Sequence, residues 1–264
     1  MDRLEIAYED FAADISRIEH LVDLILSIKK FGAVDVEQSE SEKSEVWEEA
    51  NELLSQSKER RTDLPIMTGS LLMYMAGRFE YFVKQLVEVA AEEMAGSVDS
   101  YQKLPDKFRY HLKSQTIEVL QNPRRYGYDE LIADGYLKDF STLLDGNYDA
   151  TKVSVSLLSI TDANLKSRML ADIAKRLGIE SVWKDIGKQA LMKLALETAS
   201  DGETTREAQV KLDELMEERN SLAHPTGDMT FPSAEKVLEG AKFFSALGQA
   251  ICDLFRVYLA QWNT

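Results

Sequence analysis

Between Val237 and Trp262 the apolar residues Val237, Ala241, Phe244, Gly248, Ile251, Phe255, Tyr258 and Trp262 return in unbroken alternating steps of four and three. An α-helix puts such a set on one face, because its turn of 3.6 residues brings every third or fourth side chain to the same side. A stripe this long must be covered, so it commits the chain to a helix at the centre of a bundle or of a dimer. The small Ala241 and Gly248 allow a neighbouring helix to come close, and Ser233 is placed to cap the start.

The same period recurs upstream. Leu72, Met75, Phe79, Phe82, Leu86 and Val89 mark a helix over Gly69–Met94, and Ile15, Ile18, Leu21, Val22, Ile25 and Ile28 mark another over Ile6–Phe31, ended by Gly32. An acidic, serine-containing run, Asp35–Glu45, reads as a connector to a polar helix over Val46–Arg61. Amphipathic helices follow over Asn164–Leu177, stopped by Gly178, and over Ile186–Thr198. The polar stretch Ala199–Glu203 then reads as a loop, with the next helix starting near Thr204 or Thr205. Val153 and Val155 suggest a short extended piece within Thr151–Leu158, but no sheet. With 44% hydrophobic residues and only 5 prolines in 264 residues, the chain can bury a full core. The expected fold is therefore an all-α helical bundle over residues 63–264, in which the helix ending at His224 packs antiparallel to the last one. Residues 1–62 are expected to form an N-terminal helical appendage that covers the domain or binds a partner.

Polar chemistry is concentrated in Glu217-Glu218-Arg219-Asn220-Ser221-Leu222-Ala223-His224-Pro225. Leu212, Leu215, Met216, Leu222 and Ala223 make this the end of an amphipathic helix, which Pro225 closes. His224 then stands at the helix C-terminus, with Asn220 four residues back on the same side and Arg219 beside it. An arginine grips phosphate through a rigid fork of donors, and a histidine exchanges protons near neutral pH. Together they supply what metal-free RNA cleavage needs: a proton-transfer group and a cation for the charged transition state. An exposed arginine followed by a C-capping histidine would give the same spacing.

Arg219-Asn220-Ser221-Leu222-Ala223-His224 resembles the R-N-x-x-x-H signature of the HEPN superfamily, all-α proteins that include many metal-independent endoribonucleases among toxins and antiviral defence systems. The helix with Arg78-Phe79-Glu80-Tyr81-Phe82, and the segment with Leu177-Gly178-Ile179 and Trp183, resemble the corresponding parts of its RiboL-PSP-HEPN branch or a related one. The likeness spans about Leu64 to Trp262. It implies that Arg219 and His224 are catalytic, with Asn220 orienting His224. It also implies that Glu80, on the first helix of the domain, faces the Arg/His pocket, although Lys84 four residues on would equally serve as its local partner.

One Arg/His pair offers one proton-transfer group, whereas cleavage needs a base for the 2′-hydroxyl and an acid for the leaving oxygen. A homodimer with a composite site resolves this, and the resemblance implies it too. The expected activity is thus an endoribonuclease of toxin–antitoxin or antiviral-defence type, with RNA as substrate and a regulatory protein as a further partner. The alternative is an inactive HEPN-like module that binds a protein or nucleotide.

Several features bound these readings. The net charge of -15 opposes a broad nucleic-acid surface, leaving Lys58-Glu59-Arg60-Arg61, Arg124-Arg125 and Lys166 with Arg168 as local basic patches. Arg109, Tyr110 and His111, and Arg124, Arg125, Tyr126 and Tyr128, interleave cations with aromatics; these either hold nucleotides or pack loops onto the bundle. Three histidines and one cysteine lie far apart, with no H-E-x-x-H or C-x-x-C spacing and no phosphate-cradling glycine loop, so neither metal nor cofactor is expected. The charged start, the lone Cys252 and the lack of any stretch approaching bilayer length point to the cytoplasm and away from a membrane.

Overall fold

The computed structural model describes residues 2–31, 45–59, 62–146, 148–161, 164–224 and 230–262, with side chains from residue 50 onward in the second helix. Ten helices follow in order among the described residues: α1 (Arg3–Phe31), α2 (Glu45–Glu59), α3 (Leu64–Gly96), α4 (Asp106–Gln121), α5 (Glu130–Leu144), α6 (Ser167–Arg176), α7 (Val182–Gly187), α8 (Ala190–Ala195), α9 (Asp201–Ala223) and α10 (Ala234–Trp262). Short 3₁₀ turns join some of them, and the described residues contain no strand. The fold is all-α. The acidic connector lies outside the described residues up to Ser44, as do Arg60, Arg61 and Pro225–Met229.

Helices α1, α3 and α10 form the centre. Phe11 of α1 stacks on Phe82 of α3 with centroids 4.6 Å apart, and Phe79 meets Phe244 of α10 at 4.7 Å. Gly248 permits this approach, since a Cβ there would lie 2.7 Å from the Phe11 ring. Every residue of the C-terminal stripe from Val237 to Phe255 is buried, so that stripe is used up inside the bundle. In length and composition α10 would suit a bilayer, contrary to the sequence expectation, but 56% of its apolar window is buried in the bundle. Helix α1 buries Leu4, Ala7, Phe11, Ile15, Ile18, Val22 and Ile25, and the hydrophobic core runs straight across the boundary expected at residue 62. Leu21, counted in the stripe from sequence, is exposed one position beside it.

A buried carboxylate fastens α1 to α3. Asp14 accepts from Arg78 Nε, from Arg17 Nη1 at 2.7 Å and from Tyr74 Oη at 3.2 Å, so its charge is paired and hydrogen-bonded as burial requires.

Local chemistry moves several boundaries from their expected places. The motif helix starts at Asp201, not near Thr204: Ser200 Oγ accepts from Glu203 N (3.3 Å), and Glu203 reaches back to Ala199 N (3.2 Å). This is a capping-box pattern, with Asp201 and Glu203 in the first turn facing the positive end of the helix dipole. Helix α6 is shorter than expected and begins at Ser167, while Gly178 does stop it, at φ +96°. The helix expected over Ile186–Thr198 is two short ones, α7 and α8. The extended piece expected over Thr151–Leu158 is instead the 3₁₀ turns Ala150–Lys152 and Val155–Ser159, because Asp149 captures Thr151 N at 2.9 Å and turns the chain.

Helix α9 is held along its length. At its start a Cβ on Gly187 of α7 would fall 2.1 Å from Thr205 Oγ1, so only glycine allows this crossing. Further on, Lys211 lies over Phe243, Leu215 packs at Gly240, and Glu218 pairs with Lys236 at 2.8 Å. Rising numbers on α9 meet falling numbers on α10, so the two run antiparallel. Ser233 caps α10 by accepting from Lys236 N at 3.2 Å.

Candidate functional site

The last turns of α9 face α3 on one side and, on the other, the segment leading into α6. Asp213 accepts from Ser167 N (2.6 Å) and Ser167 Oγ (2.8 Å), capping α6 from a neighbouring helix, and Glu217 pairs with Lys166. These contacts set Asn164 and Leu165 against Arg219 and Asn220. Leu165 is buried, and its N–H donates to Glu80 Oε1 at 3.2 Å.

The result is a polar cluster drawn from three elements. Arg219 Nη1 donates to Asn164 Oδ1 at 3.0 Å and to Asn220 Oδ1 at 3.3 Å, while Asn164 Nδ2 also donates to Asn220 Oδ1. Arg219 Nη2 lies 3.9 Å from Glu80 Oε2, a charge pair too long for a hydrogen bond. Arg219 Nε is shielded from solvent and has no hydrogen-bond partner among the described residues. The guanidinium is thus clamped through one nitrogen, with donors still to give through the others. Its side chain is 26% exposed, at the edge of the bundle rather than within it.

The structure therefore brings Glu80, Arg219 and Asn220 together. Lys84 does not take Glu80: it lies 3.9 Å from Glu88 instead. Asn220 does not orient the histidine through its side chain, which serves Asn164 and Arg219; its backbone oxygen accepts from His224 N at 3.0 Å. His224 stands at the C-cap of α9, exposed, with φ −126° and ψ 71°. No hydrogen bond or ion pair joins its imidazole to the cluster among the described residues. The proline expected to close the helix lies outside them.

Asn164 is the member that the sequence did not reveal. It stands in irregular chain and belongs to no motif, and the only hint of its place is that Asp213, a helix away, is free to cap α6. Beside Glu80 opens a cavity of about 270 Å³, lined among others by Gly77, Tyr81, Lys84, Ser159 and Leu165. The described residues hold no group of three or more histidines, cysteines or carboxylates that could bind a metal ion. Of the other basic patches, Arg125 lies 3.4 Å from Glu118, which Tyr126 Oη also reaches at 3.0 Å, and Arg109 is tied to Leu104 O and Asp106. These pairs fasten turns to the bundle.

Fold and site together define an all-α bundle in which the end of one helix offers a clamped arginine beside a carboxylate from the central helix. The family model RiboL-PSP-HEPN matches residues 39–256, well over half of the chain, and the protein belongs to that family. Glu80, Asn164, Arg219, Asn220 and His224 all fall within the match, whereas α1 precedes it. Comparison with curated proteins and with solved structures finds no match.

Proposed function

We propose that the protein is a metal-independent endoribonuclease that cleaves RNA by attack of a ribose 2′-hydroxyl on the adjacent phosphate. The observation that carries this reading is the Arg219 guanidinium, fixed through Nη1 by Asn164 and Asn220 but with Nη2 only distantly paired, at a surface-facing helix end five residues before an exposed histidine. A non-bridging phosphate oxygen accepts from Nη2, and the bond strengthens as charge grows on the oxygens in the transition state. Glu80, 3.9 Å from Nη2, adds charge attraction to the clamp made by Asn164 and Asn220.

In the proposed step the O2′–P bond forms and the P–O5′ bond breaks, leaving a 2′,3′-cyclic phosphate and a 5′-hydroxyl. One histidine takes the 2′-hydroxyl proton, and a second delivers a proton to the leaving O5′. Each chain provides one His224, so the second comes from another copy related by a two-fold axis. A surface suited to such a contact lies on α3: Ile66, Met73, Tyr74 and Tyr81 share a face and are each more than a third exposed, on the helix that carries Glu80. Toxin-like or defensive use of this activity, restrained by a regulatory protein, is part of the same proposal.

The alternative, an inactive binding module, draws support from the net charge of -15 and from Glu80 already offsetting Arg219. The two readings part in one assay. Incubation of purified protein with total RNA in EDTA yields 5′-hydroxyl and cyclic-phosphate ends if the enzyme reading is right; intact RNA, with a protein partner recovered at stoichiometric amounts, supports the module.

A further inference from the structure

A second group of cations stands apart from Arg219. Between α4 and α6 a cleft of about 480 Å³ is lined by Lys107, Tyr110, His111, Gln115, Lys175 and Arg176, with Ser114 and Asp172 completing it. Lys107, Lys175 and Arg176 gather there beside Asp172, in a chain whose average charge is strongly negative. Lys107 shares its charge with Glu180 at the rim. Lys175 has no carboxylate within ion-pair distance among the described residues. Arg176 is buried in the floor, where Nη1 donates to Leu158 O at 2.9 Å and Ile160 O at 2.6 Å, so its charge is fixed in place.

A further feature narrows the ligand. Tyr110 is 67% exposed, an unusual position for so large a ring, and is steadied edge-on by His111 at 5.3 Å. The cations call for phosphate and the open ring for a flat partner. A nucleotide has both; inorganic phosphate lacks the flat face. His111 does not add a charge at neutral pH, because burial lowers its pKa, helped by the nearby Arg176 and Lys107.

We propose that this cleft is a docking site for single-stranded RNA, holding one nucleotide of a strand by stacking on Tyr110 and by phosphate contact with Lys175 and Lys107. Helix α6 links it to the motif: its first residue, Ser167, is capped by Asp213 of α9, and its last two border the cleft. Ten residues of helix separate that cap from the cleft by about 15 Å, and Arg219 stands six residues, about 9 Å, further along α9. A strand with its scissile phosphate at Arg219 would therefore need several nucleotides to reach the cleft. Only this last relation rests on the endoribonuclease reading; the binding itself does not.

The test measures fluorescence anisotropy of a short labelled single-stranded RNA on the His224→Ala protein, which removes the proposed proton-transfer group and so keeps turnover out of the reading. Tyr110→Ala and Lys175→Glu, each added to that background, are expected to weaken binding about tenfold with unchanged melting temperatures. Lys175→Glu should also flatten the logarithmic salt dependence by about 0.7 for one lost phosphate contact, while Tyr110→Ala leaves the slope alone. Adenosine monophosphate, added as competitor, should displace the RNA only at far higher concentration. RNA binding unaffected by both substitutions would overturn the proposal, and so would displacement by the mononucleotide at a concentration similar to that of the RNA. Loss of binding in the variants of a protein that cleaves no RNA would support the cleft and sink the enzyme reading; unaffected binding in an active enzyme would do the reverse.

Discussion

Replacing Asn164 by alanine probes the clamp on Arg219 directly. The substitution removes the 3.0 Å acceptor from Arg219 Nη1 and the donor to Asn220 Oδ1, and leaves Glu80 and His224 in place. A hydrogen bond to a charged group contributes about 1.5–3 kcal/mol, more than a neutral one. If the orientation it enforces is needed only when charge builds on the phosphate, the whole of that energy appears in the barrier. At tenfold per about 1.4 kcal/mol, kcat/KM should fall roughly 10- to 150-fold, with the loss in kcat rather than in KM. Asn164 is only partly buried, so water replaces the lost contacts and the melting temperature should move by no more than about 2 °C. Asn164→Asp keeps an acceptor for Arg219 and should recover part of the rate. The assay is single-turnover cleavage of a labelled RNA beside a thermal melt. Asn164→Ala with wild-type kcat/KM, or Asn164→Asp no better than alanine, would refute the positioning argument.

Two further predictions concern the bundle. Phe11→Ala removes a ring buried to 1% exposure from the centre of the core, at a cost of about 3–5 kcal/mol. With an unfolding entropy of ~0.55 kcal/mol/K for a chain of 264 residues, the melting temperature should drop by about 5–9 °C; a shift within 1 °C would mean that α1 is not part of the core. Burial, then the charges of Glu5 and Asp253, push the Cys252 thiol up to about 12, and burial beside Asp149 pushes the Tyr148 phenol up to about 12. The folded protein holds both protons longer than the unfolded chain does, so this stability is whole below about pH 9 and is lost as pH rises toward 12. Urea midpoints should therefore fall between about pH 8 and about pH 10.5, and a thiol reagent should label Cys252 only after unfolding; an unchanged midpoint or rapid native labelling contradicts the burial.

The helices were legible because burial repeats at their period: Val237 to Phe255 and Leu72 to Leu86 are all buried as the stripes require. Boundaries were less so, since Ser200 and Glu203 cap α9 through side chains that read as loop composition. Residues 1–62 looked separable because the acidic connector interrupts the pattern, yet Phe11 stacks on Phe82 across it. Arg219 and Asn220 were legible as neighbours because they adjoin in the chain. Asn164 was not, because what makes it a neighbour of Arg219 is a contact between residues 55 apart, fixed by Asp213 capping another helix. The Asp14–Arg78 pair escaped for the same reason, at a separation of 64 residues.

The most direct measurement of the central claim compares wild type with His224→Ala on a defined RNA in EDTA, with the ends of the products identified by mass spectrometry. His224 is exposed at a helix end, so the variant should melt as the wild type does and any difference belongs to chemistry. The wild type should yield 2′,3′-cyclic phosphate and 5′-hydroxyl ends while His224→Ala leaves the RNA intact; identical product patterns from the two proteins, or no cleavage by either, would contradict the account.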